Sequence, residues 1–212
     1  MDIIKLTVGA SRTVVKAHKI LLAYYSPVMK AALYGGFNET GQTEISLPED
    51  WDVGIKFLVG WMETGFIDNV GVLRACDGAT SKAGILAQLW VLGNKYLSLA
   101  FCNAVMQLLF DCLVEATHPD TVSYICDNTL PTSKLCSFLI DALQFSGPLS
   151  VAGYNAHEEA WLEFVGRGGE NVKLLMRSGG LHNTTGPNPS EIENQNKYME
   201  HVEEVPVEVW RT

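Results

Sequence analysis

Apolar and polar residues alternate from the start of the chain, with Ile4, Leu6 and Val8 on one side and Lys5 and Thr7 on the other. A period of two predicts a half-buried strand, followed by a turn over 9–12 and a second strand over 13–17. The period then lengthens. Ile20, Leu21 and Leu22 make one apolar turn, and Ser26-Pro27 reads as an N-cap followed by proline at the first helical position, where the lost N–H costs nothing. Val28, Met29, Ala32 and Leu33 then form one apolar stripe, and Gly35-Gly36 supplies a left-handed stop. Glu44 to Leu47 alternates again and ends at Pro48, after which Asp50 is the expected cap of a helix carrying Trp51, Ile55, Leu58 and Met62 on one face. Thr64-Gly65 closes that helix, Phe66-Ile67 adds a short strand, and 68–84, which lacks a period, reads as a long surface loop. Helical spacing resumes at Leu86, Leu89, Trp90, Gly93 and Leu97, and a further helix runs from about Phe101 to Glu115.

Thr117-His118-Pro119 marks the first boundary, because Pro119 biases His118 away from helical geometry. Beyond it, Val122 and Ile125 begin a helical region. Leu135, Phe138, Leu139, Ala142 and Leu143 form its cleanest stripe, behind a cap at Thr132 or Ser133 and before a stop at Gly147-Pro148. Trp161, Phe164 and Val165 suggest another short helix, and Val172, Leu175 and Met176 one more. The run NTTGPNPSE then opens a linker-like end. The expected organisation is 1–116, a mixed α+β domain; 117–180, an all-helical extension; and 181–212, an acidic mobile tail. Tyr198, Met199, Val202 and Trp210 in that tail are suited to docking on the body or on a partner, and the sequence does not choose between them.

Charge sharpens this division. The net charge is −9, and the excess of acid lies after residue 110. Lys5, Arg12, Lys16, Lys19 and Lys30 are too sparse for binding through counterion release, so no nucleic-acid partner is expected. The hydrophobic span 97–114 is long enough to raise a membrane question, but Asn103, Gln107, Asp111 and Glu115 lay a polar stripe along it, so no membrane partner is expected. Five cysteines without a CxxC spacing fit a reduced interior and a cytoplasmic or nuclear location, and no leader pattern opens the chain. The histidines are scattered and match no zinc spacing. The sequence GRGGE at 166–170 lacks the remainder of a phosphate loop and reads as a turn between helices, while Ser26 has no nucleophile elbow around it. Catalytic residues, metal ligands and cofactors are therefore not expected.

With these elements placed, four ordered blocks carry a resemblance: TVVKAHKILLAYYSPVMKAALYGGFNET, EISLP, FLVGWMETGFI and LWVLGNKYLSLAFCNAVMQLL. Residues 2–115 resemble a BTB/POZ domain, of the stand-alone type similar to those of filamentous fungi. The resemblance implies an α+β fold, a helical cluster flanked by a short, mainly antiparallel sheet, followed by an all-helical extension. It implies a protein-interaction module that is not an enzyme. Many family members bind cullin-3 through an apolar-x-Glu motif after the second helix, which here is Phe37-Asn38-Glu39. These residues are the candidate partner-binding site, and the function implied is a substrate adaptor for a cullin-3-type ubiquitin ligase. An exposed aromatic beside a carboxylate has the chemistry of an interface anchor. Phe37 packing back on its own helix is the alternative, as is a scaffold or transcription-regulatory role without ubiquitin. The arm that makes swapped dimers in the family has no counterpart ahead of the first strand, so a monomer or weak dimer is expected.

Overall fold

The computed structural model describes residues 2–35, 43–76, 80–112, 115, 117–146, 158–179 and 186–202. Strands β1 (Ile3–Val8) and β2 (Thr13–His18) form an antiparallel hairpin in which Ile3 faces His18 and Val8 faces Thr13. Strand β3 (Glu44–Leu47) lies parallel to β1 on its other edge, giving the order β2-β1-β3. The alternation in the sequence now has two sides. Ile4, Leu6, Val8, Val15, Ala17 and Ile45 are buried against helices, whereas Ile3, Lys5, Val14 and Lys16 face solvent.

Helices α1 (Lys19–Tyr25) and α2 (Pro27–Tyr34) connect β2 to β3. Their joint is fixed by Ser26, whose Oγ accepts from the Met29 amide at 3.1 Å and donates to the Tyr96 carbonyl at 2.6 Å. Helix α3 (Asp52–Thr64) buries Ile55, Leu58 and Met62 as its spacing requires, and ends at Gly65 with φ 76°. Its cap differs from expectation. Trp51 stands at the N-cap without a side-chain bond, because Asp50 is spent elsewhere, accepting from Lys95 Nζ at 2.7 Å and from the Tyr96 hydroxyl at 2.9 Å. The turn Phe66-Ile67 forms no strand, and the expected loop over 68–84 contains helix α4 (Asn69–Ala75), started by Asp68, whose side chain accepts from the Val70 amide. Seven residues are too few for a period to show against three intervening polar and small positions.

Helices α5 (Lys82–Lys95) and α6 (Leu99–Phe110) form the central hairpin. Leu97 is not a helical residue but the turn, with φ 53°. Gly93 permits the contact, since a Cβ there would lie 2.8 Å from Phe101 and 2.9 Å from the Cys102 sulfur. Around this hairpin the rings of Tyr25, Trp61 and Phe101 meet in series, edge-on and tilted, with centroids 4.8 and 5.4 Å apart.

The remaining helices are α7 (Pro119–Asn128), α8 (Lys134–Ser146), α9 (Glu158–Gly166), α10 (Glu170–Arg177) and α11 (Ile192–Gln195). The cap of α8 is Ser133, which accepts from the Cys136 amide. Gly168 and Gly169, both at positive φ, make the expected turn between α9 and α10. Eleven helices and a three-stranded sheet among the described residues make the fold mixed α+β.

The tail divides. Residues 203–212 lie outside the described residues, but 186–202 pack as a strap across α6 and α8. Tyr198 is 2% exposed, with its ring 6.1 Å from Phe110 and 5.5 Å from Phe138. Its hydroxyl and Lys197 Nζ both donate to the Asp141 carboxylate, at 2.7 and 2.5 Å. Asn103 bonds both backbone groups of Glu200, and the Ser190 hydroxyl donates to the Phe110 carbonyl. Part of the polar stripe on α6 is thus a seat for the strap, and of the candidate docking residues in the tail Tyr198 and Met199 pack on the body.

Candidate functional site

Helix α2 positions the candidate interaction surface. Met29 and Leu33 hold one face to the core, while Val28, Lys30 and Tyr34 remain on the other, Tyr34 at 57% exposure. Of the expected left-handed stop at Gly35-Gly36, Gly36 lies outside the described residues and Gly35 is not left-handed: its φ is −81°, and its amide bonds Ala31 O in helical fashion. The chain leaves α2 at exposed Tyr34 and Gly35 and is described again at exposed Thr43 and Glu44, where Thr43 O accepts from the Lys5 amide and the Glu44 carboxylate from the Thr7 hydroxyl. Phe37, Asn38 and Glu39 lie between these points, outside the described residues.

Beside this end of the molecule, α1 shows a second apolar face. Ile20 is half-exposed, and with Leu21, His18, Asp2 and Glu63 it lines a cleft of about 390 Å³. His18 is the expected strand-to-helix corner residue: it is the N-cap of α1, and its buried Nδ1 has no hydrogen-bond partner. A third surface was not legible in the sequence. Phe66 is 80% exposed, Val70 and Leu73 of α4 are also exposed, and a groove of about 390 Å³ lined by Phe66 runs between α3 and α4 over Phe57, Gly60, Trp61 and Gly71. Phe66 follows a helix-ending glycine, so no period reports which way it faces; only the absence of a stripe containing Val70 and Leu73 hinted at it.

The reactive side chains are engaged in structure. Burial pushes the thiols of Cys102, Cys112 and Cys136 up from their ordinary values, which disfavours the nucleophilic thiolate, and none of the five cysteines is in a disulfide. Tyr96 is raised by burial and then by the Asp50 carboxylate, Tyr198 by burial and then by its bond to Asp141. Among the described residues no cluster of three or more His, Cys, Asp or Glu has the placement to hold a metal ion. No described helix is long and apolar enough to cross a membrane. What the arrangement offers chemically is contact area: exposed aromatic and aliphatic side chains on α1, α2 and α4, set on a packed scaffold. No protein-family model matches the chain, and no curated protein does.

Proposed function

We propose that this chain is a BTB/POZ-type protein-interaction module, not an enzyme, that serves as a substrate adaptor for a cullin-3-type ubiquitin ligase in the cytoplasm or nucleus. The observation that carries the reading is the exit of α2. Its inner face is fixed by Met29 and Leu33 and its start by Ser26, so the segment bearing Phe37, Asn38 and Glu39 is tethered between two exposed ends of a rigid body. Rigid anchoring lowers the ordering cost of an interface built there. Phe37 supplies the apolar anchor and Glu39 the polar rim. In this reading the helical extension or the acidic end of the chain recruits the client.

The test is binding of the full chain to purified cullin-3 N-terminal domain, wild type beside Phe37→Ala and Glu39→Lys. Both variants are expected to keep the wild-type unfolding midpoint and to lose binding by about tenfold or more. Unchanged binding in both would sink the assignment. A scaffold or transcription-regulatory role without ubiquitin is the second reading, favoured by the separate apolar surface at Phe57, Trp61 and Phe66. A wild type that ignores cullin-3 and recovers another partner through that surface would select it. The proposed assembly is a monomer or weak dimer, which light scattering showing a tight dimer at micromolar concentration would refute.

A further inference from the structure

The strap is held the way a bound peptide is held. Two helix stripes make its seat: Asn103 and Phe110 on α6, and Lys134, Phe138 and Asp141 on α8 at i, i+4 and i+7. Part of the grip reads only the strap's backbone. The Asn103 carboxamide donates to the Glu200 carbonyl at 3.0 Å and accepts from the Glu200 amide at 2.6 Å, and Lys134 Nζ donates to the Lys197 carbonyl at 2.9 Å. These bonds are blind to the side chains at 197 and 200. Side-chain recognition in the seat centres on one dipeptide: the Tyr198 ring meets Phe110 and Phe138, and its hydroxyl joins the Lys197 ammonium on Asp141. Met199 adds an apolar contact, while Ile192 and Val202 are exposed.

The dipeptide makes this clasp in a second setting. Asn94-Lys95-Tyr96, the same tripeptide as Asn196-Lys197-Tyr198, closes α5, and there Lys95 Nζ and the Tyr96 hydroxyl both donate to Asp50. The lysine ammonium stands 5.6 Å from the centroid of the following ring in one copy and 5.5 Å in the other. One copy ends an α-helix and the other lies on a 3-10 turn, so the clasp belongs to Lys-Tyr and a carboxylate, independent of one backbone course. What sets the second apart is the pair of side chains, Asn103 and Lys134, that hold the backbone around it.

We infer that the groove between α6 and α8 is a recognition site for an extended segment of another protein carrying Lys-Tyr, with the strap as its resident competitor. The incoming tyrosine takes the slot beside Phe110 and Phe138, Asp141 accepts from its hydroxyl and from the lysine, and Asn103 holds the backbone two residues on. A phenylalanine in place of the tyrosine leaves the carboxylate one donor short, which gives the groove its selectivity. Because the strap already fills the seat, apparent affinity is reduced to the share of chains in which the seat is open. The inference does not depend on the cullin-3 reading.

The test is fluorescence anisotropy of the full chain with two labelled synthetic peptides, one copying residues 194–202 and one carrying Lys-Tyr between glycine and serine residues only. Tyr198→Ala, which empties the slot, is expected to bind both, and to bind the first at least about tenfold tighter than wild type does. Phenylalanine for tyrosine in either peptide should weaken binding about tenfold, as should Asn103→Ala added to the Tyr198→Ala chain. Hydrogen exchange on the wild type keeps the test independent of how well that variant folds: an excess of the first peptide should speed exchange at the Glu200 amide, which loses Asn103 when the strap leaves. Unchanged exchange at Glu200, binding of the strap copy alone, or binding indifferent to the tyrosine hydroxyl and to Asn103 would each overturn the inference.

Discussion

Tyr198→Ala removes a ring that is enclosed by Phe110 of α6 and Phe138 of α8 and sits on a short 3-10 turn of the strap. Truncating a buried aromatic costs about 3–5 kcal/mol, and the lower end applies here because a short turn relaxes into the space more readily than a core helix does. The hydroxyl can be weighed separately. It donates to Asp141 at 2.7 Å, and the same carboxylate keeps Lys197 at 2.5 Å, so Tyr198→Phe removes one bond without stranding the acid. A loss of about 1 kcal/mol is expected for Phe, below the usual range for a bond to a charged group because the Asp141 carboxylate keeps its Lys197 partner. At about 2–4 °C per kcal/mol for a chain of this size, alanine should lower Tm by about 6–12 °C and phenylalanine by about 2–4 °C. Thermal and urea unfolding followed by circular dichroism would measure both. The full loss appears only if strap and body unfold together, which is the point at issue. Equal midpoints for wild type and Tyr198→Ala would refute the reasoning, since the strap would then be an ornament on a body that stands without it.

Ser26→Ala should cost about 2 kcal/mol in urea unfolding, because it loses a cap and strands the Tyr96 carbonyl in a buried site; a loss below about 0.5 kcal/mol would contradict the role of this joint. Gly60→Ala and Gly65→Ala should move in opposite directions by about 1 kcal/mol, as both have open space for a Cβ but only Gly65 has positive φ. Urea midpoints of the two variants that shifted alike would break that argument. On the alkaline side, folded values of Cys102, Cys112, Cys136, Tyr96, Tyr124 and Tyr198 lie above their ordinary ones, chiefly through burial. The stability they contribute is complete below about pH 8 and is lost as pH rises through and beyond the unfolded thiol and phenol values, so the urea midpoint should fall between about pH 8 and pH 10; a flat profile would count against it. A thiol-reactive dye at neutral pH should label Cys102 slowly in the folded chain and all five cysteines rapidly in urea, and fast native labelling of Cys102 would contradict its burial.

Positions with a strong local cause were readable from sequence. Ser26-Pro27, Gly65, the Ser133 cap and the stripe from Leu135 to Leu143 each have one short-range reason for their conformation, and the structure places them accordingly. The misreadings share a different origin. Asp50 has the right type and spacing to cap α3, but Lys95 and Tyr96, far along the chain, offer it an ion pair and a phenol. Asn103 looked like one member of a wet stripe, and its partner is Glu200. Both residues were claimed by tertiary partners, which a local pattern cannot report. Gly35 has the residue type that stops helices in the left-handed region and does not use it. The candidate site was legible only through resemblance, since Phe37, Asn38 and Glu39 carry no spacing that chemistry alone would single out.

Pro119 divides the sequence, but the core does not divide there. Phe110 belongs to the last turn of α6, and its ring meets Phe138 of α8 at 5.5 Å and Tyr198 of the strap at 6.1 Å. Val105, Leu109 and Cys112, on the same helix and the turn after it, are buried in the same continuous cluster as Val122, Leu135 and Leu139. A chain cut after residue 116 would therefore remove α8 and the strap and expose the apolar face of α6 that they cover, inviting aggregation before any partner is tested. Because α6 also packs on α5 and carries Phe101 against Trp61, the helix that closes the sheet-bearing half is the same helix that receives the extension. Loss of partner binding on truncation would then report a damaged scaffold, whereas loss on Phe37→Ala in the intact chain would report the contact itself. Only the second comparison separates the interaction surface from the fold that presents it.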